Sequence, residues 1–301
     1  MKKKQLRHYI ERANEKGLFR WIPDKYCLYI LYWARLGKWL NLKNPKTFNE
    51  KLQWLKLHNR KPEFNLMVDK YEVKKYIADK IGEEYIIPTI GIWNQFNEID
   101  FNALPNQFVL KCTHDSGGLI IVRNKMELDW AEAMQKINRS LKKNYYWHGR
   151  EWPYKNVEPR IMAELYMTDA GNQMDTGELT DYKFMCFHGK VENIYTISER
   201  YSKEGLKITV FDKEWNRLSL GRQNSTSSVD IAKPQNFEKM IHIAEVLSKD
   251  IPFLRVDFYE VAGRVYFGEF TFFPASGMKK FYPESWDLKL GELIDLQRVN
   301  L

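Results

Sequence analysis

Two short segments near the C-terminus hold the residues best suited to chemistry, Arg255-Val-Asp257 and Gly268-Glu269-Phe-Thr271. Apolar alternation runs through both, and Ala262-Gly263 between them is a turn signal, so together they read as a hairpin. A three-residue loop from Ala262 to Arg264 sets Asp257 opposite Glu269 and Arg255 opposite Thr271. Side chains alternate along a strand, so all four share one face. Two carboxylates side by side repel unless a positive charge stands between them, and removing one should relieve that repulsion. A divalent cation that prefers hard oxygen, Mg²⁺ first, suits the place. An exposed polar hairpin face is the competing reading, and spacing alone leaves it open.

Lys111 ends the apolar run Phe108-Val-Leu-Lys-Cys112 and leads into Thr113-His-Asp-Ser-Gly-Gly118. A lysine there can touch phosphates while backbone N–H groups of residues 114–118 cradle them. GxxxxGK[ST] is absent, so this is not a P-loop. Glu164, after Ile161-Met-Ala, can accept from an adenine amino group or simply end a strand. Asp181 and Lys183 carry the same ambiguity. His114, His148 and His188 are scattered, and neither HExxH nor GxSxG occurs. No Ser or Cys has an evident base, so covalent catalysis by either is not supported.

The elements that must position these residues are legible in outline. Thr47-Phe-Asn-Glu50 is a capping box opening a helix through Leu52, Leu55 and Lys56. A second helix spans Asp69 to Ile81, stopped by Gly82. Phe108–Cys112, Leu119–Val122 and Arg160–Met167 are strands. Trp130, Ala133, Ile137 and Leu141 mark a helix, as do Phe237, Met240, Ile241, Ala244 and Leu247. Tyr182–Phe187 and Val191–Ile197 form a hairpin around His188-Gly189, and Leu254–Val261 and Arg264–Phe272 form another. Antiparallel hairpins among helices make an α+β chain, without strict βαβ alternation.

The 301 residues are 44% hydrophobic and 29% charged, which excludes a disordered chain. Charge is uneven. Residues 1–80 hold 20 Lys+Arg against 8 Asp+Glu, and residues 81–301 hold 27 against 31. A net of +12 in the first quarter suggests a polyanion or an anionic membrane face as neighbour, unless it is only a solvated surface. Signatures of nucleic-acid binding are missing. Cys27, Cys112 and Cys186 lie far apart with no metal spacing, which fits a reducing, cytoplasmic compartment. The basic start has no apolar run after it and does not read as a signal peptide. The stretch Tyr26–Trp33 is too short to span a bilayer.

Taken in order, Asp69-Lys70, Lys111 with its loop, Glu164-Leu-Tyr-Met167, Asp181-Tyr-Lys183, Arg255-Val-Asp257 and Glu269-Phe-Thr271 resemble the motifs of an ATP-grasp protein. Asn44-Pro-Lys-Thr-Phe-Asn-Glu-Lys-Leu-Gln-Trp54 and Trp147-His-Gly-Arg-Glu-Trp-Pro-Tyr154 narrow this to the TupA-like branch, named for teichuronopeptide biosynthesis. Members sit among genes for capsule, teichuronic and O-antigen polysaccharides. The resemblance implies an ATP-grasp fold, two α+β subdomains gripping ATP. Residues 1–68 would be a helical basic N-terminal region, 69–163 the smaller lid subdomain and 164–301 the C-terminal subdomain with the metal site.

By the same resemblance, Lys70 and Lys111 contact the phosphates, with His114, Ser116, Gly117 and Gly118 around them. Glu164 takes the adenine amino group, the backbone of Leu165, Tyr166 and Met167 reads the ring edge, and Asp181 and Lys183 lie near the ribose. Asp257, Glu269 and Thr271 hold Mg²⁺. Arg255 and Lys111 act at the reacting centre. The implied reaction is ATP- and Mg²⁺-dependent joining of a carboxylate to an amine through an acyl phosphate. A carboxylated sugar or polysaccharide precursor would be one partner and an amino acid or amino sugar the other, at the cytoplasmic face of the inner membrane. Two positions depart from the family pattern: Thr271 replaces the usual Asn of Glu-x-Asn, and Asp115 puts a negative charge in the phosphate loop. The rivals are a glycosyltransferase, a kinase and a non-catalytic assembly protein. A glycosyltransferase usually carries Asp-x-Asp, which does not occur here.

Overall fold

The computed structural model describes residues 3–168, 179–198, 205–222, 226–227 and 230–299. The chain opens with five helices: α1 (Lys3–Glu15), α2 (Asp24–Leu36), α3 (Phe48–His58), α4 (Glu63–Val68) and α5 (Glu72–Ile81). The capping box is present, with Glu50 N–H donating to Thr47 Oγ1 at 3.3 Å and Thr47 N–H to Glu50 Oε2 at 3.1 Å. The second expected helix begins three residues late. Asp69 stays outside it, because its Oδ1 accepts from the N–H groups of Tyr71 and Glu72.

A four-stranded antiparallel sheet follows, built from β1 (Thr89–Trp93), β2 (Phe108–Cys112), β3 (Leu119–Val122) and, after α6 (Trp130–Leu141) and α7 (Tyr146–Gly149), β4 (Ile161–Leu165). Its order is β1-β4-β2-β3. Its own core joins Phe108, Leu110, Ala133 and Ile137, so α6 packs on this sheet. β4 lies wholly within it, and the chain passes to the second sheet only after Leu165.

That second sheet holds β5 (Asp181–Phe187), β6 (Lys190–Ser198), β7 (Lys207–Phe211), then, after β8 (Gly221–Arg222) and α8 (Phe237–Leu247), β9 (Phe253–Val261) and β10 (Arg264–Thr271). Its order is β10-β9-β5-β6-β7, again antiparallel. β11 (Phe281–Tyr282) pairs with β8, and α9 (Ser285–Glu292) closes the fold. The main core spreads over this sheet and takes in Phe48, Leu52, Phe64 and Met67 of α3 and α4. The second half of the basic N-terminal region therefore shares its core with this sheet. Only α2 and its neighbours have a separate small core, around Cys27, Leu28, Leu31 and Tyr32.

The last hairpin corrects the expected loop. It has two residues, Ala262 at φ 49° and Gly263 at φ 70°, so Arg264 already pairs with Val261. A bulge between Phe267 and Phe270 then shifts the register by one. Thr271 consequently faces Arg255 as expected, while Gly268 and Glu269 together oppose Asp257. Gly268 belongs in the bulge because a Cβ there would lie 3.1 Å from the Asp257 carbonyl oxygen.

Candidate active site

Between the two sheets lies a cavity of about 390 Å³, within the range of small-molecule sites. Part of its wall is apolar, formed by Val73, Ile86, Ile87, Ile197 and Phe267. The rest is crowded with charge. Ten expected site residues meet in this wall: Lys70, Lys111, Ser116, Gly118, Glu164, Asp181, Lys183, Arg255, Asp257 and Glu269. They come from α5's approach, both sheets and the loop after β2.

Arg255 occupies the point where a cation was expected. Its Nε and Nη2 donate to the two oxygens of Asp257, each at 2.6 Å, and Nη2 also reaches Glu269 Oε1 at 2.8 Å. Lys183 Nζ adds bonds to Asp257 Oδ2 at 2.5 Å and Asp181 Oδ2 at 3.0 Å. The carboxylates are thus held by cations, and removing one would strand charge instead of relieving repulsion. Burial works against the charged form of Asp257 and pushes its carboxyl up, against the pull of Arg255 and Lys183. Burial also works against Glu269, but Arg255, Lys183 and Lys70 outweigh it and hold that carboxyl below its ordinary value. Among the described residues no three His, Cys, Asp or Glu side chains are gathered as a metal cluster. A Mg²⁺ ion bound to phosphates asks less of the protein, usually one or two carboxylates. Glu269, with 42% of its side chain exposed, has room to meet that demand, whereas Asp257 is 1% exposed and would first have to release Arg255 or Lys183.

Glu164 spends both oxygens on lysines. Lys111 from β2 bonds Oε2, and Lys74 from α5 bonds Oε1 at 2.7 Å. Burial alone would push this carboxyl up; the two lysines reverse that and hold it down. Lys74 was missed in the sequence; it lies in α5, while Lys70 stands in the turn before that helix. Lys74 also donates to Ile87 O at 2.6 Å and Thr89 Oγ1 at 2.7 Å, which ties α5 to β1.

The loop after β2 is held from inside. Asp115 lies in the cavity wall, but its carboxylate is engaged within the loop, accepting from Gly118 N–H at 3.0 Å and from the Ser140 hydroxyl. Lys70 Nζ bonds the Asp115 carbonyl, and Lys70 N–H donates to Thr113 O at 3.0 Å. At Gly118 a Cβ would meet Cys112 Sγ at 2.6 Å and Ser140 Oγ at 2.7 Å, so only glycine fits. Ser116 and Gly117 remain exposed at the tip.

Six expected residues stand outside the cavity wall. The ring of His114 is buried, with Nε2 3.2 Å from Ser140 O and 3.0 Å from Lys143 O, so it braces the loop against α6. Gly117 is at the loop tip. Leu165 ends β4 and donates its N–H to Pro88 O at 3.0 Å; Tyr166 and Met167 run on from it, half-buried and without regular structure. Thr271 pairs opposite Arg255.

Several solved ligases are similar to this chain. The D-alanine–D-alanine ligase of Helicobacter pylori is 15% identical, with a TM-score of 0.40, over 76% of this chain and 60% of that one. The Bacillus anthracis enzyme, solved with ATP, gives 15% and 0.42 over 76% and 65%. The ATP-grasp ligase PsnB, solved with a minimal precursor, Mg and ADP, gives 10% and 0.38 over 74% and 57%. The chain spans less than two thirds of the length of these ligases. No curated protein matches it. The family model described as TupA-like ATPgrasp matches residues 50–295, which takes in both sheets, the cleft and every expected site residue. The α+β chain therefore belongs to the TupA-like ATP-grasp family.

Proposed function

We propose that this protein is an ATP-dependent carboxylate–amine ligase. The observation that carries the reading is the convergence of Lys70, Lys74, Lys111, Lys183 and Arg255 on one cavity. Such a site suits phosphoryl transfer, which needs positioning and charge stabilisation and no protein nucleophile.

In this reading the apolar part of the wall takes the adenine, alongside the backbone of Leu165, Tyr166 and Met167, and Asp181 and Lys183 lie near the ribose. Lys70, Lys74 and Lys111 neutralise the phosphates, and the N–H groups of Ser116 and Gly117 complete their cradle. Glu164 acts as the post that aims Lys74 and Lys111. Asp257 and Glu269 would hold Mg²⁺, with Thr271 behind them; the ion would supply further neutralisation of phosphate charge. Arg255 faces the reacting centre. The substrate carboxylate attacks the γ-phosphoryl group, the bond to the β-phosphate oxygen breaks, and ADP leaves. The amine then displaces phosphate from the acyl phosphate, giving the amide. The family's name supports a carboxylated sugar or polysaccharide precursor as acceptor, with an amino acid or amino sugar as the amine, in the cytoplasm.

A substrate labelled with ¹⁸O in its carboxyl group tests the chemistry. Attack through that oxygen carries label into inorganic phosphate, with ADP as co-product. Unlabelled phosphate excludes the acyl-phosphate route. Sugar transfer from a nucleotide-sugar without ATP would establish a glycosyltransferase instead.

A further inference from the structure

Among the described residues, six large apolar side chains expose more than 55% of their surface, and five lie within residues 9–39: Tyr9, Leu18, Trp21, Tyr26 and Trp39. Trp21 is 82% exposed and Trp39 75%. Scattered single cases are ordinary on any surface; these gather in one stretch of the chain. On α2, Tyr26, Ile30 and Trp33 share one helical face at i, i+4 and i+7, with Tyr26 exposed and Ile30 and Trp33 half-buried. The opposite face, with Cys27, Leu28, Leu31 and Tyr32, is the buried one. Trp39, just past the helix, stacks on Trp33 with ring centroids 6.0 Å apart and lengthens the stripe. Trp21 and Leu18 are exposed in the connection between α1 and α2.

Basic side chains border it. Arg7 of α1 sits 6.0 Å from the centre of the Trp33 ring and donates to Ala34 O at 2.8 Å, which lays α1 along the stripe. Tyr9 and Arg12 share an exposed face of α1, Lys16 is exposed just past its end, and Lys25 is exposed beside Tyr26. Residues 1–46 hold 12 Lys+Arg against 3 Asp+Glu, while the other 255 residues hold 35 against 36. The whole excess charge thus sits on this hairpin and its flanks. No helix of the described residues is long and apolar enough to cross a membrane.

We propose that the α1–α2 hairpin rests on an anionic membrane surface. Trp and Tyr settle at headgroup level, where one part of the ring is apolar and the other wet. Lysine and arginine are drawn to anionic headgroups. The stripe follows a convex helix face, a shape that a plane of lipid fits better than a polymer strand does. This seats the protein flat on the bilayer, in the manner of an interfacial helix.

Vesicle sedimentation of the full chain tests this directly. Vesicles of phosphatidylcholine with one third phosphatidylglycerol should carry the protein down at about 0.1 M salt and release most of it at about 0.5 M, where charges are screened within a few ångströms. Pure phosphatidylcholine should not. Arg12→Gln, Lys16→Gln and Lys25→Gln should each weaken binding about fivefold. Trp21→Ser and Trp39→Ser, both at exposed positions that leave the core untouched, should weaken it and abolish a blue shift of tryptophan emission. Equal binding to both vesicle types, no binding, or indifference to the tryptophan variants would overturn the proposal. Capture by soluble polyglucuronate while vesicles stay free would assign the surface to a polymer, and would overturn it too.

Discussion

The α1–α2 hairpin and the cleft between the sheets carry the same residue types to different ends. On the hairpin, Arg12, Lys16 and Lys25 are exposed and have no ion-pair partner among the described residues. In the cleft, Lys70 holds the Asp115 carbonyl, Lys74 and Lys111 share Glu164, and Lys183 and Arg255 share Asp257. Surface charges act nearly independently and fade with salt. Buried ones have traded water for each other, so altering one withdraws charge from a partner that water does not reach. The comparison separates charge that works at a distance from charge that works by position.

The sharpest way to break it is Arg255→Met. That change leaves Asp257 with Lys183 and takes from Glu269 the guanidinium bonded to it. It should cost about 3–5 kcal/mol, the usual loss when one partner of a buried pair goes, and abolish turnover. Urea unfolding measures the cost; unchanged stability would mean that the cluster is solvated and behaves like the hairpin. Lys111→Met should lower ATP turnover by about 10²-fold or more, the scale for removing one stabiliser of transition-state charge. It should disturb folding less, because Lys74 still holds Glu164. A variant that loses stability and keeps its rate would make Lys111 structural.

Gly118→Ala probes the loop. The added methyl collides with Cys112 and Ser140, and overpacking of this kind costs about 1–3 kcal/mol. A raised KM for ATP should accompany the lower melting temperature. The effect of pH is smaller. Desolvation, with Arg35 and Lys56 nearby, pushes the His148 imidazole down to about 4. The unfolded chain takes up that proton near pH 6.5, so the contribution is complete above 6.5 and is lost as pH falls toward 4. A melting series across that window should flatten in His148→Gln. Smallest of all, Lys25→Gln should shift folding stability by no more than about 0.5 kcal/mol; a larger loss would show that the hairpin's charges are packed like those of the cleft.

Local rules made some of this readable and hid the rest. The Thr47–Glu50 capping box is a contact within one turn, so four residues suffice to state it. The hairpin register was legible for Thr271 and Arg255 even though the loop length was not. Ala262 adopts a left-handed conformation that non-glycine residues seldom take, and the bulge at Gly268 offsets the shorter loop, so two departures cancelled. Lys74 escaped notice because its partner, Glu164, is ninety residues away on another element. Asp115 looked like a misplaced charge until the fold brought Ser140 to it.

By itself, then, the sequence determined which residues could meet: alternation put Asp257 and Glu269 on one hairpin face and Arg255 opposite Thr271, since sharing a face needs only the repeat of a strand. Tertiary structure alone decided what lies between them. Whether two carboxylates face a metal, water or Arg255 depends on side-chain torsions and on how α5 and the two sheets dock. Those are set by the packing of the whole core, and no spacing along the chain encodes them.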